Sequence, residues 1–293
     1  MIEEKSWASH LFDLCNHLLL IALAVLCIVP FIHVVALSFS SRAAAEGRFV
    51  TLWPIGFNLE NYARVLQGSA FRQSVIITVQ RTVLGTALSL MLTILTAYPL
   101  SKSASQLRGR NAMMYLVLFA MLFPAGLIPW FLVINDLGML DTMWALVIPS
   151  ALSPWHVILL ANFFGDIPPE MEEAAVVDGA NQWTVLTRIY VPLSGPAIAT
   201  MVLLSSVLQW NSWFDGQVLM STAAKYPLQT YLRLIIVESN AIRQAVGAEG
   251  LASISNRGFR GAAIALTTLP ILFVYPFIQK YFMTGMRLGA IKG

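Results

Sequence analysis

Residues 18–39 read LLLIALAVLCIVPFIHVVALSF, a stretch without Asp, Glu, Lys or Arg. A helix needs about 20 consecutive apolar residues to cross the hydrocarbon layer of a bilayer, which is about 30 Å thick. This stretch is long enough, and five further apolar runs follow it. The sequence therefore predicts six membrane spans, at residues 18–39, 74–100, 112–134, 143–165, 194–214 and 261–283.

The composition agrees with a membrane protein and excludes a soluble globule. Of the 293 residues, 57% are hydrophobic and only 11% are charged, whereas charged residues make up about a quarter of soluble domains. Only helices and closed barrels satisfy their backbone groups in lipid, and barrel strands alternate over segments of about ten residues. We therefore predict an all-α bundle of six transmembrane helices in one domain. The net charge of +3 gives no reason to expect a nucleic-acid partner.

The short loops indicate the orientation of the bundle. The loop 101–111 carries three basic residues, and the loop 135–142 carries two acidic residues and no basic one. Because short cytoplasmic loops are enriched in Lys and Arg, both termini should be cytoplasmic. The segment 166–193 should then lie inside, and the segments 40–73 and 215–260 outside. We expect the segment 215–260 to form a short helix or lid that contacts a binding protein.

Residues 166–193 form an acidic loop that holds five of the fifteen acidic residues. Pro169 suits the first turn of a helix, and acidic residues after it favour the positive end of the helix dipole. Gly179 suits a left-handed helix stop, Asn181 a helix cap and Pro192 a helix end. The loop should therefore contain two short helices.

One face of the first short helix is suited to contact with another protein. Met171, Ala174, Ala175 and Asp178 share that face by their spacing, and the alanines keep it thin. A solvated loop that only joins two spans is the alternative, and the residues alone do not decide between them.

The stretch from Glu173 to Pro192 resembles the EAA motif of the membrane subunits of binding-protein-dependent ABC importers. That motif reads E-A-A-x3-G-x9-I-x-L-P, and Val191 in place of Leu is the one departure. Other segments resemble the carbohydrate branch of the family, in particular the maltose-type second permease. They are Asn61-Tyr62, AYPLSK at 97–102, Trp210-Asn211, YPFIQKYF at 275–282 and GAIKG at 289–293. The segment KYPLQTYL at 225–232 is similar to permeases for oligosaccharides, including alginate fragments.

This resemblance implies a set of partners in a bacterial inner membrane. They are a second homologous permease that completes a heterodimer, two ATP-binding subunits that hold ATP and Mg, and an extracytoplasmic solute-binding protein. The chain itself would bind no cofactor and would translocate a carbohydrate, an oligosaccharide that can be acidic, by alternating access.

The resemblance also implies which residues couple the chain to the ATPase. Glu173 would make a polar contact, Ala174 and Ala175 would allow close approach, and Gly179 would set the corner. Asp178, Ile189 and Pro192 complete the predicted coupling set. The tail Ala290-Ile291-Lys292-Gly293 would reach between the ATPase subunits.

Missing motifs narrow the function further. No G-x-x-x-x-G-K-[ST] sequence occurs, so energy must come from a partner, and no nucleophile–base arrangement suggests an enzyme. The six runs contain no carboxylate, which argues against an ion-coupled carrier. Four scattered His residues and two Cys residues twelve positions apart predict no metal site. An ATP-independent pore or carrier subunit remains the alternative.

Polar residues near the outer half of the bundle are candidates for the substrate path. They are Arg81, Gln209, Trp210, Asn211 and Trp213. Aromatic faces and amides suit sugars, but Trp also populates the membrane interface, and Arg81 could either extend to the headgroups or face the path. A line of hydroxyls on the second run, from Thr82 to Thr96, predicts a packing seam or a wet lining.

Overall fold

The computed structural model describes residues 7–237 and 256–290, with the backbone alone at Ala8 and from residue 274 onward. Helices dominate, and the described part contains no β-strand, which confirms the predicted all-α class. The helices are α1 (Trp7–Ser38), α2 (Arg42–Glu46), α3 (Glu60–Gln67), α4 (Ser69–Ser101), α5 (Arg110–Leu122), α6 (Leu127–Asp136), α7 (Met143–Val147), α8 (Pro154–Gly165), α9 (Pro169–Val177), α10 (Gln182–Val185), α11 (Val191–Leu193), α12 (Gly195–Asn211), α13 (Phe214–Leu219), α14 (Leu228–Val237) and α15 (Asn256–Ala290).

Three of the six apolar runs coincide with longer helices. Helix α1 begins before the run 18–39 and ends one residue before its end, and α4 extends past both ends of the run 74–100. Helix α15 likewise covers the run 261–283. The helices are longer than the apolar runs because hydropathy marks only the helical segment that matches the lipid, whereas the backbone hydrogen bonds of the helix continue beyond that segment.

Two runs that we expected to be continuous helices are broken. Helices α5 and α6 meet at 112°, and α7 with its following 3₁₀ turn meets α8 at 48°. Pro124 lacks a backbone donor and Gly126 has a φ of +83°, so the first helix cannot continue through them. At the second break, Pro154 restricts Ser153 to extended backbone. The runs 112–134 and 143–165 therefore each contain two helices that meet at a bend.

The fifth run begins after a third bend. Helix α12 follows the segment 182–193 at an angle of 82°, across Ser194. Helix α12 ends at Asn211, three residues before the predicted end of the span at residue 214. Pro192 lies one residue before the end of the helical segment at Leu193, which agrees within one residue with the helix end that the sequence predicted.

One compact unit comprises Met1–Arg72 and Leu234–Leu269. Its core is built from small and aliphatic side chains: Ala36, Leu37, Ala44, Ala45 and Val50. Buried Asn61 donates to the Ser38 carbonyl at 3.0 Å, and the Tyr62 hydroxyl lies 2.8 Å from Ser38 Oγ. The Asn-Tyr pair thus fixes α3 against the end of α1.

The second compact unit comprises Gln73–Arg233 and Pro270–Gly293. Tyr98, Phe164 and Tyr190 pack edge to face in its largest described core, with ring centroids 5.0–6.5 Å apart. These rings belong to α4, α8 and the segment between α10 and α11. Aromatic pairs in this geometry add to the free energy gained by burial, so the acidic loop is fixed to two long helices.

Contacts within this unit join loops that are distant in the sequence. Lys102, from the loop 101–111, contacts Glu172 of the acidic loop. Asp141, from the loop 135–142, accepts hydrogen bonds from Thr222 and Lys225. Loops predicted to share one side of the membrane therefore meet each other in the structure.

The surface of α1 suits contact with lipid. Within the span Ser9–Ser38, none of the most apolar window is buried against the protein. An uncovered apolar helix of this length is stable when lipid surrounds it. The structure therefore contains membrane helices, as the composition predicted.

Candidate functional site

The acidic loop folds locally as its sequence predicts. Helix α9 begins at Pro169 with Glu170 and Glu172 in its first turn. Gly179 follows it with a φ of +84°, a conformation that side chains with a Cβ rarely adopt. Asn181 caps the next helix, because its Oδ1 accepts from the Thr184 N–H at 2.8 Å. The loop is therefore a defined two-helix corner.

A charged cluster joins this loop to the end of α4. Lys102 Nζ donates to Glu172 Oε2 at 2.6 Å and to the Tyr190 hydroxyl at 3.1 Å. The Tyr190 hydroxyl donates to the same Glu172 oxygen at 2.7 Å. Lys102 Nζ also lies 4.2 Å from the centroid of the Tyr98 ring. We call Lys102, Glu172 and Tyr190 the loop anchor.

The loop anchor shifts the pKa values of its acidic members. Burial would raise the pKa of Glu172, but hydrogen bonds from Lys102 and Tyr190 and the Lys102 charge lower it below its ordinary value. Burial and the bond to Glu172 raise the pKa of Tyr190. Glu172 therefore stays ionised at neutral pH, and Tyr190 stays a donor.

The predicted coupling residues divide into an exposed group and a packed group. Glu173, Ala174, Asp178, Gly179 and Pro192 are exposed. Ala175 and Ile189 are partly buried against the core around Tyr98 and Phe164. The exposed group is available to a partner, whereas Ala175 and Ile189 hold the loop to its own unit.

The predicted tail lies mostly outside the described residues. Helix α15 ends at Ala290, whose side chain is not described, and Ile291, Lys292 and Gly293 lie beyond the described part.

A cleft of about 460 Å³ lies among α4, α8 and the end of α12. Four of the five predicted path residues line it: Arg81, Gln209, Asn211 and Trp213. Trp210 is not among the lining residues, and its buried indole nitrogen has no hydrogen-bond partner in the described part. The structure thus brings most of this candidate set together.

Arg81 lies inside the protein. Its side chain is 1% exposed, and Nε donates to Gln209 Oε1 at 3.0 Å. Both terminal nitrogens donate to the carboxylate of Asp215. The alternative in which Arg81 extends to the headgroups is therefore wrong, because a nearby carboxylate compensates its charge within the fold.

The hydroxyl line on α4 packs mainly against protein. Ser205 Oγ of α12 lies 3.4 Å from Ser89 Oγ, and the hydroxyls of Thr86 and Thr93 are buried without a partner among the described residues. A Cβ on Gly85 would lie 2.6 Å from the Gln209 side chain, so the helices approach closely there. This arrangement agrees with the packing seam, and only Ser89 also lines the cleft.

Three residues of these sites were missed from the sequence. Lys102 was interpreted as an orientation signal and as part of the AYPLSK segment, and Glu172 only as a member of an acidic run, although a Lys at the end of a span is suited to an ion pair. His156 was treated as a scattered His, yet it lines the cleft. No local signal in the sequence indicates that position.

Comparison with known proteins identifies the family. Residues 89–288 match the model for "Binding-protein-dependent transport system inner membrane component". The chain is 39% identical over 286 residues to the polygalacturonan/rhamnogalacturonan transport system permease protein YtcP of Bacillus subtilis, covering 97% of this chain and 99% of that protein.

Solved structures show the same fold. One chain in a crystal structure of a bacterial ABC transporter that imports the acidic polysaccharide alginate superimposes with a TM-score of 0.89 at 38% identity, covering 94% of this chain and 98% of that one. A chain from an alginate ABC transporter in complex with an alginate pentasaccharide-bound periplasmic protein gives a TM-score of 0.53 at 17% identity, over 91% and 94%. The chain therefore belongs to the inner membrane components of binding-protein-dependent transport systems and is a carbohydrate ABC transporter permease.

Proposed function

We propose that this permease carries an oligosaccharide with uronate carboxylates into the cell. The observation that carries the proposal is the similarity, at 38–39% identity and over nearly the whole chain, to two permeases whose substrates are acidic polysaccharides. Galacturonan and alginate differ in their sugars, and both bear one carboxylate on each uronate ring. The shared chemistry is therefore the uronate unit.

We propose further that the acidic loop couples this chain to separate ATP-binding subunits. The exposed Glu173, Ala174, Asp178 and Gly179 would contact an ATPase subunit, and the loop anchor would transmit its movement to α4. ATP and Mg would be held by those subunits, and the tail from Ala290 to Gly293 would reach between them. Alternating access of the bundle follows from that movement.

The remaining partners follow from the family. A second permease would complete the translocation path, and a binding protein would deliver the sugar to the outer side. Both termini would be cytoplasmic, and the segment 215–260 would contact the binding protein. Arg81, Gln209, Trp210, Asn211 and Trp213 would form or support this chain's part of the path.

Uptake into proteoliposomes tests the proposal. The complete complex with its binding protein should accumulate radiolabelled trigalacturonate only when ATP is enclosed with the ATPase subunits. Glu173→Ala and Gly179→Pro should insert normally and lose uptake. The control variant Glu170→Gln, at an exposed position in α9, should insert normally and retain uptake. Uptake by this chain alone, without ATPase subunits, would instead support a pore, and normal uptake by Gly179→Pro would contradict the coupling role.

A further inference from the structure

Every nitrogen of the Arg81 guanidinium donates a hydrogen bond inside the cleft. Nη1 and Nη2 donate to the two carboxylate oxygens of Asp215, Nη1 also donates to the Ser212 carbonyl at 3.5 Å, and Nε donates to Gln209 Oε1 at 3.0 Å. With 1% of its side chain exposed, Arg81 cannot find replacement partners in bulk water. Removing Asp215 without a substitute would leave a buried charge uncompensated, which is strongly unfavourable.

The two partners differ in what they would keep after separation. Asp215 Oδ1 also accepts from Ser212 Oγ at 2.8 Å and from the Gly216 N–H at 2.9 Å. Asp215 would therefore keep two donors, whereas Arg81 would keep only neutral acceptors, the Gln209 amide oxygen and the Ser212 carbonyl, and would lose its carboxylate. If the pair separates, Arg81 therefore needs another carboxylate, whereas Asp215 needs no new partner.

Asp215 is also the more accessible member of the pair. Its side chain is 16% exposed, against 1% for Arg81, and both residues line the cleft. A molecule in the cleft therefore reaches Asp215 first. Because the two charges cancel, the closed pair offers an acidic sugar no net attraction, and a neutral sugar has no group that could replace the Asp215 carboxylate.

Building on the proposed function, we infer that Arg81 and Asp215 form a carboxylate-exchange filter. A uronate carboxylate replaces Asp215 on the terminal nitrogens of Arg81, while Asp215 turns away with its bonds to Ser212 and Gly216. A carboxylate of the substrate has the same two-oxygen geometry as Asp215, so Arg81 keeps two charge-assisted hydrogen bonds throughout. Asp215 is thus a specificity-determining residue.

The rest of the cleft suits the ring of the same sugar. His156 lines the cleft and is 4% exposed, and its buried Nδ1 has no hydrogen-bond partner among the described residues. The Trp213 ring provides an aromatic face, and the exposed guanidinium of Arg233 stacks on this ring at 3.7 Å. A sugar hydroxyl can bond to His156, and the Arg233 charge attracts an anion to the cleft.

Equilibrium binding to the complete complex in nanodiscs, without the binding protein, tests this inference. The probes are trigalacturonate and its trimethyl ester, in which a neutral methyl ester replaces each carboxylate. Asp215→Asn removes the internal competitor and keeps an acceptor for Ser212, so the Kd for the acid should fall by about fivefold or more. The Kd for the ester should stay within about twofold. Asp141→Asn, in an exposed pair with Lys225, is the matched control and should change neither value.

The double variant Arg81→Gln/Asp215→Asn keeps the cleft neutral and decides the case if Asp215→Asn does not assemble. It should prefer the acid less than the wild type does, because only the exposed Arg233 charge then attracts the carboxylates. A wild type without a preference for the acid, equal shifts for both probes in Asp215→Asn, or a preference as large in the double variant as in the wild type would overturn the filter. If the wild type neither binds nor transports trigalacturonate, the proposed function fails instead.

Discussion

Replacing Glu172 with Gln should loosen the acidic loop from α4 without unfolding the membrane bundle. Glu172 Oε2 accepts hydrogen bonds from Lys102 at 2.6 Å and from Tyr190 at 2.7 Å. A bond to an ionised group contributes about 1.5–3 kcal/mol. Gln keeps an acceptor for Tyr190 but loses the charge attraction to Lys102. The substitution should therefore remove only part of the free energy that the two hydrogen bonds contribute.

Solvent exposure determines how far water weakens the attraction between Lys102 and Glu172. The side chains of Lys102 and Glu172 keep 10% and 14% of their surface exposed, so water screens a minor part of the attraction. We expect Glu172→Gln to cost about 2 kcal/mol in the free energy of local opening. That loss corresponds to about thirtyfold faster hydrogen exchange of the amides in α9.

Hydrogen exchange of the purified complex, followed by mass spectrometry, measures this change directly. Lys102→Met should have a similar effect, and the double variant should cost less than the sum of the single variants by about 1–2 kcal/mol. Glu170→Gln, an exposed change on the same helix, is the matched control. Equal exchange in wild type and Glu172→Gln, or additive effects in the double variant, would refute the anchor.

Three further predictions follow from the same geometry. Lys102 and Tyr190 lower the pKa of Glu172 against the effect of burial. The loop anchor should therefore hold at neutral pH and weaken as the pH falls below the ordinary pKa of a Glu side chain. At such low pH the amides of α9 should exchange faster in the wild type, whereas exchange in Glu172→Gln should not depend on pH in this way. Gly179→Ala should lower the free energy of unfolding by about 1–2 kcal/mol through the positive φ alone, since a Cβ there meets no atom within 4 Å. Gly179→Asn should lower it less, which thermal unfolding would measure. Gly216→Ala should lower the melting temperature, because its Cβ would lie 2.2 Å from Thr230 Oγ1, whereas Gly195→Ala, with open space around its Cβ, should cost much less.

Hydropathy located the apolar runs in the sequence but not the breaks within them. A long apolar window averages over Pro124 and Gly126, so the 112° bend leaves no trace in it. The local structure of the acidic loop was better predicted. Gly179 and Asn181 act through backbone geometry and neighbouring amides, which the sequence fixes within a few residues.

The polar sites depended on contacts that are distant in sequence. Arg81 and Asp215 are separated by 134 positions, and no pattern in either neighbourhood indicates that they pair. Lys102 and Glu172 are separated by 70 positions. Ile189 belongs to the coupling motif, yet it packs partly against the core, because the helical period places it on the inner side of its segment.

Site-specific cross-linking tests the central claim, that the exposed face of the acidic loop binds an ATPase subunit. Glu173→Cys would be introduced into a chain with Cys15→Ser and Cys27→Ser, and membranes from the native host would be treated with a short bifunctional cross-linker. Trp53→Cys, at an exposed position in a loop predicted outside, serves as the control. The account predicts an ATP-sensitive adduct between residue 173 and an ATP-binding subunit, and none from residue 53. Absence of that adduct, while the ATP-binding subunits are present in the same membranes, would contradict it.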